Sequence, residues 1–119
     1  MAKPTPNRND GNVNREPVKW TVYAASGAIE IDDELALLTK AGVGTMTLAA
    51  PTNPDMNGQE MTVTSTTAQA HTVTCTLGFN VAGAGGDVAT FGGAIGDSMI
   101  IRAYAGNWYV SGVTNVTFG

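Results

Sequence analysis

The stretch from Gln59 to Leu77 constrains this chain more than any other. Glu60-Met61-Thr62-Val63-Thr64-Ser65 and Thr72-Val73-Thr74-Cys75-Thr76-Leu77 both alternate residue by residue between polar and mostly apolar side chains. A period of two sends successive side chains to opposite faces of a strand, whereas a helix needs a period near 3.6. Folded on the loop from Thr67 to His71, the two segments register as a hairpin. Thr66 then faces Thr72, Thr64 faces Thr74 and Thr62 faces Thr76, while on the other side Ser65 meets Val73, Val63 meets Cys75 and Met61 meets Leu77. A one-residue slip breaks both sets of pairs. Each cross-strand pair contributes roughly 0.2–1 kcal/mol. The hairpin predicts one hydroxyl face and one apolar face, and the rest of the chain must cover the second.

Composition points the same way. With 119 residues the chain is one domain's worth, and only 13% of them are charged. Small and β-branched residues dominate, which suits all-β structure with tight turns and surface buried in an assembly. The single Cys75 has no partner for an internal disulfide and reads as a small buried hydrophobe. No apolar run approaches the roughly 20 residues of a membrane helix, and Met1-Ala2-Lys3-Pro4 leads into no signal-peptide core. The expectation is a protein made in the cytoplasm and used without export through a membrane, with no membrane partner.

Charge divides the chain. The first twenty residues hold Lys3, Arg8, Arg15 and Lys19 against Asp10 and Glu16, a net charge of +2, and the remainder carries −6. An acidic body argues against nucleic-acid binding, and the tail is too sparse in cations and aromatics for a nucleic-acid arm. Residues 1–17 read as an extended arm, because Pro4, Pro6, Pro17 and the cluster Asn7–Asn12 suit neither a helix nor a central strand. Such a segment either lacks fixed structure or orders on a partner.

The body, residues 18–119, reads as short strands between turns. Val18–Ala24 alternates, with Val18, Trp20 and Val22 on one side and Lys19, Thr21 and Tyr23 on the other. Ala28–Asp32 follows with Ile29 and Ile31 inward, and Asp32-Asp33-Glu34 reads as a solvated turn. Leu35–Lys40, Thr45–Ala49, Asp87–Phe91, Ser98–Ala105, Trp108–Val113 and Thr114–Phe118 are further strands, and Gly78–Gly86 is a glycine-rich loop. Gly106-Asn107 is a two-residue hairpin signal, pairing Ala105 with Trp108, Tyr104 with Tyr109, Ala103 with Val110 and Arg102 with Ser111. Together these define an all-β fold, a compact antiparallel β-sandwich or barrel of short strands with an extended N-terminal arm.

Nothing converges on chemistry. His71 is the single histidine. A base needs a nucleophile and an orienting carboxylate beside it, and Ser65 and Cys75 point into the apolar face. A zinc site needs three or four ligands, and the acid run lacks the spacing of a calcium loop. Gly83-Ala84-Gly85-Gly86 carries neither nucleotide fingerprint. No enzyme activity, cofactor or metal is expected. Tyr104, Trp108 and Tyr109 crowd one hairpin, where they either close a core or subunit contact or stack on a sugar.

Three stretches, Gly42–Thr52, Thr66–Thr74 and Gly93–Asp97 running on to Ala103–Val110, resemble small structural proteins of tailed bacteriophages, above all capsid decoration (cement) and head-fibre proteins. The resemblance covers roughly Gly27 to Gly119. It implies a homotrimer on the outer capsid surface of the virion that binds the major capsid protein and stabilises the shell. Lys3, Arg8, Arg15 and Lys19 are then candidate capsid contacts, read from the arm's charge. The alternative is a phage tail or fibre module that binds host carbohydrate through Tyr104, Trp108 and Tyr109.

Overall fold

The computed structural model describes residues 18–81 and 84–119. The strands are β1 (Trp20–Tyr23), β2 (Gly27–Ala28), β3 (Leu35–Leu38), β4 (Thr45–Thr47), β5 (Glu60–Ser65), β6 (Thr72–Val81), β7 (Ala84–Phe91), β8 (Ser98–Tyr104), β9 (Asn107–Thr114) and β10 (Val116–Phe118). Among the described residues a single 3-10 turn, Pro54–Met56, is capped by Asn53, whose side chain accepts from the Asp55 amide. All the strands join one sheet, which curls into a nearly closed barrel. The all-β expectation holds. No helix among the described residues is long and apolar enough to cross a membrane.

The chain winds before it folds back. Strands β1, β3 and β5 stack in parallel, with Trp20 beside Leu35 and Leu35 beside Thr62. Strands β2, β4 and β6 form a second parallel stack, with Gly27 beside Met46 and Met46 beside Val73. Each pass along the chain therefore adds one strand to each stack. After β6 the direction reverses: β7 is antiparallel to β6, β8 to β5, β9 to β8 and β10 to β7. Strand β9 also runs parallel to the far end of β6, joining the two stacks. Five of the nine pairings are parallel, so the antiparallel expectation describes only the second half of the fold. Alternation fixes which face a residue occupies; it does not choose the neighbouring strand.

The threonine-rich segments show this most directly. Their inward residues are as expected, since Met61, Val63, Ser65, Val73 and Cys75 are all buried. They do not pair with each other. Strand β5 lies between β3 and β8, and Thr72–Thr74 of β6 lie between β4 and β7. The connection from Thr66 to His71 crosses from one stack to the other, and the Thr66 and Thr72 amides donate to Leu38 and Gly44. A hairpin here would have taken one edge of each strand and displaced one of these neighbours from each.

Leu77, expected inward, is 64% exposed. The ladder between β6 and β7 shifts register between Thr74 and Phe79. Gly78 sits in that shift at φ 85°, a left-handed conformation that glycine adopts without strain. The segment Gly78–Val81 is strand rather than loop, and Phe79 is brought back into the core. In the β8–β9 hairpin the turn residues are Ala105 and Gly106, at φ 52° and 82°, one step earlier than Gly106-Asn107. Two successive left-handed residues match a type I′ turn. The Ala105 amide is held by the Asn57 side chain at 2.9 Å. Tyr104 thus pairs with Asn107, Ala103 with Trp108 and Arg102 with Tyr109, and every residue keeps its expected face.

The core is built on Trp108, Phe79, Phe91, Leu38, Met46, Met61, Met99 and Ile101. Trp108 has no exposed surface, and its indole Nε1 donates to the Ala49 carbonyl at 2.9 Å. Its burial answers the sequence alternative in favour of the core and removes it from any sugar-binding face.

Candidate functional site

Strands β1 and β2 are the two ends of the strand path and do not pair, so the barrel has a seam. Side chains close it. On β1 the alternation places Lys19, Thr21 and Tyr23 on one face, and that polar face turns inward. Opposite it, Asp33 in the β2–β3 connection is fully buried. Its Oδ1 accepts from the Lys19 ammonium at 2.9 Å and from the Thr21 hydroxyl at 2.6 Å, and its Oδ2 accepts from the Tyr23 hydroxyl. The Tyr23 oxygen accepts from the Glu30 amide at 2.7 Å, just past β2, which carries the network across the seam.

Lys19 also meets Glu30 at 2.7 Å and Asp32 at 3.1 Å. Carboxylate oxygens of Glu30, Asp32 and Asp33 gather within 4.8 Å of one another, a hard-oxygen set of the type that divalent cations favour. The Lys19 ammonium already sits against all three and offsets one of their three negative charges. Hydrogen bonds to Glu30 and Asp33 push the lysine pKa far above its ordinary value. Burial alone would push the Asp33 carboxyl up, but the bonds from Thr21, Tyr23 and Lys19 outweigh it and hold the group below the usual carboxylate range. The cluster is therefore a charged clasp. Asp32 and Glu34 are exposed, as a solvated turn requires, whereas Asp33 corrects that expectation. The signal was present in Lys19, Thr21 and Tyr23, three polar groups at strand spacing that need a buried acceptor.

The same inversion turns the apolar side of β1 outward. Val18, Trp20 and Val22 are 44%, 57% and 48% exposed, beside half-buried Leu35 and Leu37 of β3. Among the proposed capsid contacts, Lys19 is engaged in the clasp, and Lys3, Arg8 and Arg15 lie outside the described residues. The aromatic trio is split. Tyr104 and Tyr109 are exposed on one face with Arg102, which pairs with Glu60 at 2.7 Å, while Trp108 points the other way.

His71 is a second buried polar group, at the end of the barrel opposite the clasp. Its Nδ1 accepts from the Gly44 amide at 2.8 Å, and its Nε2 meets the Thr67 hydroxyl at 2.9 Å. An acceptor at Nδ1 fixes the neutral tautomer with the proton on Nε2, which donates to Thr67. Thr67 in turn donates to the Lys40 carbonyl at 3.0 Å. Burial and the nearby Lys40 charge both lower the imidazole pKa. A histidine held neutral in the fold but free to protonate when unfolded contributes stability that is complete above its ordinary pKa of 6.5 and is lost as pH falls. Urea unfolding should show stability dropping between pH 6.5 and 5 by up to about 1.4 kcal/mol per pH unit. His71→Gln should flatten that slope, and an unchanged slope in the variant would assign it to other groups.

A scan against protein-family models found no match, and a search of curated proteins returned no relative.

Proposed function

We propose that this chain is a structural virion protein, a decoration or cement protein that binds the outer surface of a tailed-phage capsid as a homotrimer and stabilises it. The observation that carries this reading is the outward apolar stripe of β1. A small domain with few charges places a tryptophan and two valines on an open sheet edge, where neighbouring chains pair readily. A closed ring of copies covers that edge in every protomer. The polar clusters inside the barrel, at Asp33 and His71, have their hydrogen bonds met within the chain, which suits a rigid scaffold. The three stretches that resemble phage decoration proteins lie in this barrel. The partner is the major capsid protein, reached through the arm by Lys3, Arg8 and Arg15. A ligand that binds only the assembled shell stabilises it by mass action.

Sedimentation of the purified protein tests the assembly. The expected result is a three-copy species that Trp20→Ser shifts toward monomer with little change in the stability of each barrel, because Trp20 is mostly exposed. A monomer at all concentrations, free and on capsids, contradicts the reading. Exposed Tyr104 and Tyr109 favour one second reading, a tail or fibre module that stacks host sugars on these two rings.

A further inference from the structure

Asparagine followed by glycine occurs once in the chain, at Asn57-Gly58, where the 3-10 turn leads into β5. Both residues are exposed, and a Cβ built on Gly58 would meet nothing within 4 Å beyond its chain neighbours. The pair is tied down all the same. The Asn57 carboxamide oxygen accepts from the Ala105 amide at 2.9 Å, and the Gly58 amide donates to the Ala103 carbonyl at 2.7 Å. The Ala103 amide in turn donates to the Gln59 carbonyl at 2.9 Å. These bonds fasten residues 57–59 to the end of β8 and to the turn that follows it. Ala105 sits in that turn at φ 52°, a left-handed conformation that is unfavourable for a residue with a Cβ, and Asn57 holds its amide there.

Asparagine is a thermolabile residue, and the cause is the backbone that follows it. The next residue's nitrogen, on losing its proton, attacks the side-chain amide carbon. A new C–N bond forms, the bond to the carboxamide nitrogen breaks, and ammonia leaves behind a five-membered succinimide ring. Water then opens the ring at either carbonyl and gives aspartate or isoaspartate. Glycine favours the attack, because no Cβ crowds its nitrogen and its backbone turns freely. In this fold both reacting groups are engaged elsewhere, the Gly58 N–H with Ala103 and the Asn57 carboxamide with Ala105.

We propose that Asn57 is a self-modification site gated by the tip of the β8–β9 hairpin, closed to deamidation while the tip is docked and reactive when it lifts. The rate then follows the population of the open form, because local opening precedes the chemistry. The two products act differently on the tip. Aspartate keeps an oxygen in place for the Ala105 amide. Isoaspartate lengthens the main chain by one methylene and moves the free carboxylate onto the α-carbon, so the Ala105 amide loses its acceptor and the tip does not dock again. Each such event is one-way and leaves Tyr104 and Asn107, the last pair of the hairpin, less firmly held. The site converts time spent open into a permanent loosening of this end of the barrel. The free protein alone tests it, whatever the capsid experiments show.

Peptide mass and ion-exchange chromatography follow the reaction, since each event replaces an amide by a carboxyl and adds one negative charge. The full-length protein is incubated at mildly alkaline pH in buffer and, in parallel, in unfolding urea. Asn57 should deamidate at least about tenfold more slowly in the folded protein, as expected of a contact that is closed most of the time. Ala105→Val puts a β-branched residue at positive φ and should lift the tip and raise the folded-state rate several-fold. Ala105→Gly suits that φ and should keep the protection. The isoaspartate form, separated from the parent, should exchange its Ala105 amide rapidly, and Asn57→Asp should keep that amide protected. Equal rates in buffer and urea, no reaction at Asn57 in urea, or an Ala105→Val barrel that deamidates no faster than the parent would overturn the proposal. An Ala105 amide as protected in the isoaspartate form as in the parent would do the same.

Discussion

Trp108→Ala should cost the barrel about 3–5 kcal/mol, the largest loss from any single side chain in the fold. Trp108 is the largest side chain with no exposed surface, so its removal leaves a cavity that the surrounding strands can only partly refill. A second penalty adds to the first, because the Ala49 carbonyl loses the indole donor. A domain of this size has about 5–15 kcal/mol of stability in total, so the alanine variant uses up much of the margin. Trp108→Phe separates the two contributions. It keeps most of the ring volume, removes the Nε1 donor, and should cost about 1–3 kcal/mol. Urea denaturation of the three proteins measures both steps, and an alanine variant within about 1 kcal/mol of the parent would contradict the placement of the core.

Asp33→Ala should be the second most damaging change, at about 3 kcal/mol. The loss arises at the seam. Thr21 and Tyr23 each lose their acceptor, and the Lys19 ammonium keeps only the exposed carboxylates of Glu30 and Asp32. Exposed pairs are worth little, so they do not compensate. The strands around the core are untouched, and the expected change is a locally opened barrel between β1 and β2. Hydrogen exchange should rise first at amides of β1 and of the Ile29–Glu34 connection. The pH dependence follows from the depressed carboxyl pKa. Asp33 contributes fully above its ordinary value of 3.8 and loses that contribution as pH falls through its lower folded value. Asp33→Asn should remove this acid-side loss below about pH 4 while leaving the histidine-linked slope at higher pH.

The alternation of Thr and apolar residues made the strands and their faces legible in the sequence, and nearly every expected strand is present. Strand neighbours were not legible. Glu60–Ser65 and Thr72–Leu77 match each other as a hairpin about as well as they match their true partners, because Thr and Val recur throughout the chain. What separates the two arrangements is long-range: in the wound path both edges of β5 and of Thr72–Thr74 are taken by strands distant in sequence, β3 and β8 for the first and β4 and β7 for the second. The seam was hidden for a related reason. Amphipathic reasoning sends Trp20 inward and Lys19 outward, and here a buried acid fourteen residues downstream reverses the preference. For Trp108 the side of its strand opposite Tyr104 and Tyr109 was readable, because the strand alternates cleanly and starts at a turn whose glycine sets the register within one residue, but only its burial decides between core and sugar face.

The most direct measurement of the central claim is co-sedimentation of the full-length protein with phage capsids stripped of it, with intact host cells as a parallel target. The expected result is saturable pelleting with capsids, none with cells, and weaker capsid binding by a variant lacking residues 1–17. Pelleting with cells that surface polysaccharide competes away, or binding to neither target, would contradict it.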